Sequence, residues 1–592
     1  MAQFEIKDGV GIIPDGTTEF SYNTYRNCTS LKSITIPESV KTIAGHAFEG
    51  CTSLESIVVA DGNPVYDSRE GCNAIIETAT NTLIKGCKTT VIPNSVTEIG
   101  DWAFLDCPSL KNITIPESVT EIGGYAFEGC TSLENITIPE GVTEIGGYAF
   151  RGCTSLESII IPESVTKIGS CVFEGCTSLE SITIPESVTE IGSSTFRGCT
   201  SLESIVVADG NSVYDSREGC NAIIETTTNT LIQGCKTTVI PESVTKIGYS
   251  AFGCCTSLDS VTIPEGVTEI VSEAFKGCTS LKSVTIPNSV TKIGSSAFEG
   301  CTSLENITIP EGVTEIGECT FRGCTSLKSI TIPESVTEIG NWAFYGCTSL
   351  KSIIIPEPVT KIGHRAFRGC TSLESVTIPE GVTEIGECAF KGCASLESVT
   401  IPNSVTKIEV CTFEGCTSLE SIVLPKVRRI ERYAFDGCTS LKSITIPKSV
   451  KKIEEGTFKG CTSLESVVIP KGVKKINGRA FLNCTSLKSI TIPESVTEIG
   501  MIAFDGCTSL ESITIPNSVT EIGDYAFNGC TSLESITISE SVTKIGIGVV
   551  DGCTSLVTIN VPAKKSHYCK WYLRPNVHDK IVEIVPEKKT KK

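Results

Sequence analysis

Cysteine is the residue type in this chain with the most chemistry to offer, and its spacing is regular. The 592 residues include 31 cysteines, and 21 of them recur in steps of 23 residues between Cys28 and Cys553, apart from one step of 22 and two of 56. Zinc ligands usually come in pairs separated by about two to four intervening residues. Side chains stacked about 4.8 Å apart on neighbouring strands are poorly placed for a disulfide. The spacing therefore predicts free thiols that line a core, with no metal and no cofactor.

Six other cysteines are candidates for disulfides in an oxidising compartment, whereas in the cytosol they would stay reduced. Cys388 and Cys411 lie in one column, five residues before a repeat cysteine, on neighbouring repeats. The other four lie in two nearly identical inserts that resemble hairpins, with a two-residue turn at Ala79-Thr80 in the first copy. The predicted facing pairs are Cys72 with Cys87 and Cys220 with Cys235.

The column that lies five residues before the repeat cysteine also contains Trp102, Tyr125 and Tyr148, on successive repeats. Trp, Tyr and Arg dominate the energetics of protein interfaces, and a row of exposed rings can also stack on sugars. The alternative interpretation is an edge ladder in which the rings pack on one another. The sequence is consistent with both arrangements.

A basic band interrupts a chain whose formal net charge is −20. Residues 426–479 contain 13 Lys and Arg against five Asp and Glu, so the band carries +8 and the remainder −28. Six of these cations replace the Thr-Glu or Thr-Lys found at the same place in most other repeats, and they are Arg428, Arg429, Lys451, Lys452, Lys474 and Lys475. The band predicts a docking patch for an acidic or sulfated partner. Drift in a solvated column, or pairing with acidic repeats of another molecule, would also account for it.

Catalysis finds no support in the sequence, and an enzyme is not predicted. The four histidines form no H-E-x-x-H pair, and no phosphate-binding glycine loop is present. The acidic balance argues against a nucleic-acid partner. The chain has no apolar run of about 18 residues, so no membrane span is predicted. The first eight residues lack the basic and apolar segments of a secretory signal.

The 23-residue unit contains the elements that must position these side chains. Between Cys130 and Cys153, Ile136 and Ile138 alternate with Thr137, which predicts a short strand, and Val142–Ile145 begins a second extended segment. Residues 148–152 are long enough for one helical turn. One unit cannot bury its own apolar side chains, but stacked units can, so the fold predicted is a β-rich solenoid of about 23 coils with two hairpin inserts.

The domain boundaries follow from where this pattern starts and stops. The predicted order is an N-terminal cap with an atypical first coil at 1–27, the solenoid at 28–561, a C-terminal cap at 562–586 and a basic tail at 587–592. The inserts lie at about 60–90 and 208–238. Trp571 and Tyr572 are expected to cover the last coil.

The pattern L-x-x-I-x-I-P-x-x-V-x-x-I-G-x-x-A-F-x-x-C resembles the BspA-like, Treponema-type leucine-rich repeats, from about Gly9 to Val561. The inserts at Asn63–Cys87 and Asn211–Cys235 resemble units of the same family. The resemblance implies a leucine-rich-repeat solenoid that acts as a binding or adhesion protein for a protein or glycan ligand. It also implies a cell-surface or secreted location, whereas no signal peptide is visible and a cytoplasmic location is possible, so the sequence leaves localisation open.

Overall fold

The computed structural model describes residues 4–563, 573 and 575–584. It divides into two compact units, Met1–Val290 and Thr291–Lys592, each of which is a stack of coils. The predicted basic tail at 587–592 lies outside the described residues, as do Trp571 and Tyr572 and much of the predicted C-terminal cap. Whether these segments cap the chain therefore stays a prediction.

Each regular coil contributes one strand to each of two parallel ladders. In the coil that ends at Cys153, the first strand is Asn135–Thr137 and the second is Glu144–Ile145. We call the surface formed by the first strands face A and the surface formed by the second strands face B. Along face A the Ile is buried while its two neighbours are exposed, because successive side chains of a strand point to opposite sides.

In unit 1, the face-A strands are Ser33–Ile36, Ser56–Val59, Asn112–Thr114, Asn135–Thr137, Ser181–Ile184, Ser204–Val207, Ser260–Thr262 and Ser283–Thr285. In unit 1, the face-B strands are Glu19–Phe20, Thr42–Ile43, Glu98–Ile99, Glu121–Ile122, Glu144–Ile145, Lys167–Ile168, Glu190–Ile191, Lys246–Ile247 and Glu269–Ile270.

In unit 2, the face-A strands are Asn306–Thr308, Ser329–Thr331, Ser352–Ile354, Ser375–Thr377, Ser398–Thr400, Ser421–Val423, Ser443–Thr445, Ser466–Val468, Ser489–Thr491, Ser512–Thr514, Ser535–Thr537 and Thr558–Pro562, followed by Ile581–Ile584. In unit 2, the face-B strands are Lys292–Ile293, Glu315–Ile316, Glu338–Ile339, Lys361–Ile362, Glu384–Ile385, Lys407–Ile408, Arg429–Ile430, Lys452–Ile453, Lys475–Ile476, Glu498–Ile499, Glu521–Ile522 and Lys544–Ile545.

The register within these ladders repeats the sequence period. Ile113 lies beside Ile136 on face A, and Ile122 lies beside Ile145 on face B, each pair 23 residues apart. Equivalent residues of successive coils therefore lie side by side. This confirms the predicted leucine-rich-repeat solenoid of 23-residue coils.

The core of each unit contains a ladder of stacked phenylalanine rings. In unit 1, Phe127, Phe150, Phe173 and Phe196 are at most 2% exposed, and the centroids of successive rings are 5.3 to 5.7 Å apart. In unit 2 the rings from Phe298 to Phe527 are stacked in the same way. At the start of the chain Tyr25 takes the place of phenylalanine and stacks on Phe48 at 5.9 Å. The phenylalanines therefore contact one another from coil to coil.

The segment that follows each face-B strand, which we call the corner, differs from the helical turn that the sequence predicts. In the coil that ends at Cys153 it is residues 148–152. The N–H groups of Ala149 and Arg151 donate to the carbonyl oxygens three residues earlier, so the corner is a run of tight turns. Tyr148, in the middle, has a φ of 62°, and this left-handed residue prevents a right-handed helix from continuing. The corner N–H groups of Tyr148 and Phe150 then bond to the next coil, at Ser170 O and Val172 O.

Each insert replaces a regular coil by a small antiparallel sheet. In the first copy the strands are Tyr66–Asp67, Ile75–Glu77 and Thr82–Lys85, with a 3₁₀ turn at Arg69–Gly71. In the second copy they are Tyr214–Asp215, Ala222–Glu225 and Thr230–Gly234, with a 3₁₀ turn at Arg217–Gly219. A short hairpin of Ile6–Lys7 and Val10–Gly11 begins the first unit.

The hairpin register is confirmed close to its turn and is wrong beyond it. Ile76 faces Leu83 as predicted, but the turn encloses four residues, because Glu77 pairs with Thr82. A bulge between Ile75 and Ile76 then moves Ile75 opposite Lys85. Both isoleucines are buried, Ile75 in the core of the first coils and Ile76 in the core that follows, and the extra residue of the bulge is Ile84 on the partner strand. Outside the paired strands, the Val91 N–H donates to Cys72 O at 3.1 Å, and the facing of Cys72 and Cys87 stays a prediction.

Candidate functional site

The most unusual surface of each unit is a column of residues in the left-handed conformation. It consists of the residue two positions before the core phenylalanine, and we call it the αL column. In unit 1 it comprises Trp102, Tyr125, Tyr148, Cys171, Ser194, Ser250 and Glu273. In unit 2 it comprises Ser296, Cys319, Trp342, Arg365, Cys388, Cys411, Tyr433, Gly456, Arg479, Ile502, Tyr525 and Gly548. All have φ between 53° and 62°.

Glycine is the residue that this conformation favours, yet it occupies only two of these 19 positions. For any other residue the left-handed conformation costs roughly 1–2 kcal/mol. The column nevertheless contains large side chains such as Trp342, Arg365 and the β-branched Ile502. Sequence reasoning identified the column by its aromatic residues and missed its backbone conformation. The glycines at positions 456 and 548 were the signal that could have indicated it.

The aromatic residues of the column form a stack in unit 1. The ring centroids of Tyr125 and Tyr148 are 4.6 Å apart and nearly parallel, and Trp102 lies 6.1 Å from Tyr125. His46 contacts the other side of Trp102, at 4.7 Å between centroids. All three aromatic side chains are partly exposed. The geometry is that of the edge ladder, in which neighbouring rings cover each other's faces and leave edges and hydroxyl groups accessible.

Charged residues extend this stack on its C-terminal side. The Arg151 guanidinium lies 5.6 Å from the Tyr148 ring centroid and forms ion pairs with Glu128 and Glu174 at 3.0 and 3.1 Å. A hydrogen bond with Cys171 raises the pKa of Tyr148. Burial raises the pKa of Cys171 in turn. The phenol and thiol therefore stay protonated at neutral pH and can donate hydrogen bonds.

The αL column of unit 2 carries a second group of aromatic and basic side chains. Arg365 lies over the Trp342 ring, 5.5 Å from its centroid. The Tyr433 hydroxyl donates to Glu455 at 2.7 Å, and Arg479 pairs with the same carboxylate at 2.6 Å. These contacts hold the side chains in place before any partner binds.

The repeat cysteines from Cys51 to Cys553 are buried thiols, as predicted, and Cys28 in the first coil is partly exposed. The Sγ–H of Cys130 donates to the carbonyl oxygen of Phe104, and Cys153 repeats this contact with Phe127. Burial raises the pKa of Cys176 to about 12, so the thiol is a hydrogen-bond donor and not a nucleophile at neutral pH. Cys254 and Cys255 are adjacent in the sequence, and of the two Cys255 is buried, whereas Cys254 is partly exposed.

The candidate disulfide cysteines are free thiols in this structure. Cys388 and Cys411 are partly exposed neighbours in the αL column, and the Cys388 N–H donates to Val410 O in the next coil. Burial and a hydrogen bond to Glu414 raise the pKa of Cys411 to about 12. In the inserts all four thiols are buried; the predicted pairs are Cys72 with Cys87 and Cys220 with Cys235. Their ability to bridge stays a prediction.

The basic band lies on face B of unit 2, where Lys452 and Lys475 are paired residues of adjacent strands. Two of its six central cations have acidic partners: Arg429 pairs with Glu431 at 2.7 Å, and Lys475 pairs with Glu498. Within the described residues, the other four form no ion pair, and they are Arg428, Lys451, Lys452 and Lys474. The band is therefore only partly neutralised by its neighbours.

No candidate metal centre or membrane segment emerges from the described residues. No group of three or more His, Cys, Asp or Glu side chains there is placed to hold a metal ion. Nor does this part of the chain contain a helix of the length and hydropathy needed to cross a membrane. The candidate binding surfaces are thus the αL column and the basic band.

Comparison with known proteins identifies the repeat. The model of the BspA type leucine rich repeat region matches residues 11–69, 80–216, 229–351, 337–465 and 451–571. A leucine rich cell surface protein from Faecalibacterium prausnitzii is 35% identical over 58% of this chain and 78% of its own, with a TM-score of 0.41. A leucine-rich repeat protein from Bacteroides ovatus is 25% identical over 88% and 98%, with a TM-score of 0.29. A comparison with curated proteins found no match. The chain belongs to the BspA-type leucine-rich repeat family.

Proposed function

We propose that this protein is a non-catalytic binding and adhesion scaffold that recognises a protein or glycan partner through its αL column. The observation that carries the proposal is the occupancy of that column. Large aromatic and basic side chains occupy positions where glycine would be the most stable residue. The left-handed conformation costs each of them roughly 1–2 kcal/mol. Strained backbone positions cluster at functional sites, where the role of the side chain in function compensates for the loss of stability.

The arrangement of the rings favours a protein over a glycan. Sugars stack on open ring faces, but Tyr125 has Trp102 on one side and Tyr148 on the other. Ring edges and hydroxyl groups are left for a partner, and these suit the mixed apolar and polar surface of a protein. Successive coils add further contacts, so affinity grows through multivalency and not through one deep pocket.

The test is binding of the purified chain to arrays of glycans and of extracellular proteins. We expect hits that weaken at least about tenfold in the triple variant Trp102→Ala, Tyr125→Ala and Tyr148→Ala, because aromatic anchors each contribute about 2 kcal/mol or more. The matched control is Thr114→Ala with Thr137→Ala, two exposed face-A residues of the same coils. Equal binding by the triple variant and the control would count against the αL column as the binding surface.

A second candidate function is docking of an acidic or sulfated partner through the basic band at 426–479. Four exposed cations without acidic partners support it. Replacement of all six central residues by the Thr-Glu of other coils should abolish binding to dextran sulfate while the chain stays folded. Wild-type binding should also fall in about 1 M salt, where the screening length is about 3 Å. Salt-insensitive or unchanged binding would contradict this candidate.

A further inference from the structure

A surface depression lies within the basic band, between two neighbouring coils of unit 2. Its volume is about 390 Å³, which is in the range of sites for small ligands, roughly 300–1,000 Å³. Its lining residues are Arg428, Arg429, Ile430, Val450, Lys451, Lys452 and Glu454. Ile430 and Val450 are buried core residues whose apolar groups line the depression, and the exposed cations surround them.

The depression coincides with an interruption of the face-B ladder. Arg429–Ile430 pairs with the preceding strand Lys407–Ile408, and Lys452–Ile453 pairs with the following strand Lys475–Ile476. Between these two pairs the described ladder is not continuous, and it is also interrupted before Lys407. The interruption follows the single coil of 22 residues, which is one residue shorter between Leu424 and Val427.

The interruption also changes the backbone donors that face the depression. One coil further on, the N–H groups of Lys474 and Asn477 donate to Lys451 O and Ile453 O at 2.8 and 2.9 Å. Among the described residues, the equivalent N–H groups of Lys451 and Glu454 find no acceptor in the backbone of the preceding coil. These two N–H groups are therefore available as donors to a bound anion.

The charges around the depression are unequally satisfied. Arg429 is paired with Glu431, and Glu454 accepts a hydrogen bond from Asn477 at 2.7 Å. Within the described part of the chain, Arg428, Lys451 and Lys452 have no carboxylate partner. The adjacent depression of about 440 Å³ has a different character, because its Glu455 is already bound by Arg479 and Tyr433. An anion is therefore favoured at the first depression and not at the second.

We propose that the depression between Arg428–Ile430 and Val450–Lys452 binds a compact sugar-sized ring that bears several sulfate or phosphate esters. The proposal rests on the second candidate function and assigns it a defined site. Arg428 offers a planar fork that matches an oxyanion, and Lys451 and Lys452 add point charges. Ile430 and Val450 supply an apolar floor for the ring. Sulfate and phosphate esters share this chemistry, and the choice of probe separates them.

The test uses the full chain and two defined probes, sucrose octasulfate and inositol hexakisphosphate, in titration calorimetry. The site variant is Lys451→Thr with Lys452→Glu. The matched control is Lys474→Thr with Lys475→Glu, which makes the same charge change one coil away and outside the depression. We expect the site variant to bind at least about tenfold more weakly, since it removes two charged donors from the depression. The control should change affinity by less than about threefold, the residual effect of a nearby surface charge.

The outcomes distinguish the site from the broader function. Equal losses in the two variants would mean that a diffuse basic field binds the probes, which overturns the site and leaves the docking function intact. Binding of dextran sulfate without binding of either small probe would have the same meaning. Tighter binding of the octasulfate would assign the site to sulfated glycans, and tighter binding of the hexakisphosphate to phosphorylated sugars. Failure of wild-type protein to bind dextran sulfate would remove the docking function itself.

Discussion

The Sγ–H of Cys153 donates a hydrogen bond of 3.2 Å to the carbonyl oxygen of Phe127, which lies 26 residues earlier and one coil back. The same contact recurs from coil to coil, as in Cys176 with Phe150 and Cys199 with Phe173. The carbonyl oxygen of each of these phenylalanines also accepts the N–H three residues later, as in Cys130 with Phe127, so the thiol from the next coil is a second donor. A small apolar side chain with one weak donor suits this buried position, which explains why cysteine recurs there.

This arrangement predicts a loss of stability at alkaline pH. Burial raises the pKa of core thiols such as Cys176, Cys324 and Cys370 from the ordinary value of 9.0 to about 12. Above pH 9 the unfolded chain releases protons that the folded chain retains. The free energy of unfolding should therefore be constant below about pH 9 and fall as the pH rises towards 12, by at most about 1.4 kcal/mol per pH unit for each thiol.

The measurement is the free energy of unfolding by denaturant between pH 7 and pH 11, with a reductant present. The control replaces Cys130, Cys153, Cys176 and Cys199 by alanine. This variant should be less stable at pH 7 but should show a shallower fall with pH, because four titrating groups have been removed. An identical slope in the two proteins would show that lysine and tyrosine titration, and not the thiols, governs alkaline unfolding.

The phenylalanine ladder should dominate local stability. Phe150→Ala removes a fully buried ring that is stacked on both Phe127 and Phe173, and we expect a loss of about 3–5 kcal/mol. Tyr148→Ala, two residues away and partly exposed, should cost much less. Hydrogen exchange of the coils next to Phe150 measures the effect locally, because repeat proteins can open in segments. Comparable deprotection by the two substitutions would contradict the stacked-core interpretation.

The αL column predicts a stabilising substitution. Ser296 has a φ of 57°, so Ser296→Gly should raise the free energy of unfolding by about 1 kcal/mol. The matched control is Ser375→Gly, which lies in an extended face-A strand and should lower stability by about 0.5–1 kcal/mol. Denaturant unfolding of both variants gives the comparison. Destabilisation of similar size at the two positions would mean that backbone strain is absent from the column.

Thiol accessibility should divide the cysteines by position. A maleimide applied to the folded chain at neutral pH should label the partly exposed Cys254 and Cys388, and should label Cys411 slowly because burial and a hydrogen bond raise its pKa to about 12, whereas the buried core cysteines should react only after unfolding. Peptide mass spectrometry locates the labels. Under a mild oxidant we also expect a link between Cys388 and Cys411, which the variant Cys411→Ser cannot form. Rapid labelling of Cys130 or Cys153 in folded protein would be inconsistent with the core assignment.

The sequence by itself determined the repeat, the strand positions and the core. A 23-residue period with alternating Ile and Thr leaves one arrangement in which Leu133, Ile136 and Phe150 can all be buried, namely stacked coils. The duplicated inserts and the basic band were visible in the same way, because apolar periodicity and charge are properties of local sequence. The hairpin register was predictable only as far as Ile76, because beyond it the extra residue Ile84 shifts the partner strand.

Tertiary structure alone decided what the corners and the band can do. Tyr148 is left-handed because its N–H and the flanking turns must meet the next coil, a requirement that its residue type does not reveal. Whether the aromatic rings cover each other depended on the spacing between coils. The depression beside Lys451 depended on an interrupted ladder, and a ladder forms or breaks according to contacts between coils that are distant in sequence. Local pattern thus specifies the coil, whereas the fit of one coil against the next specifies the surface.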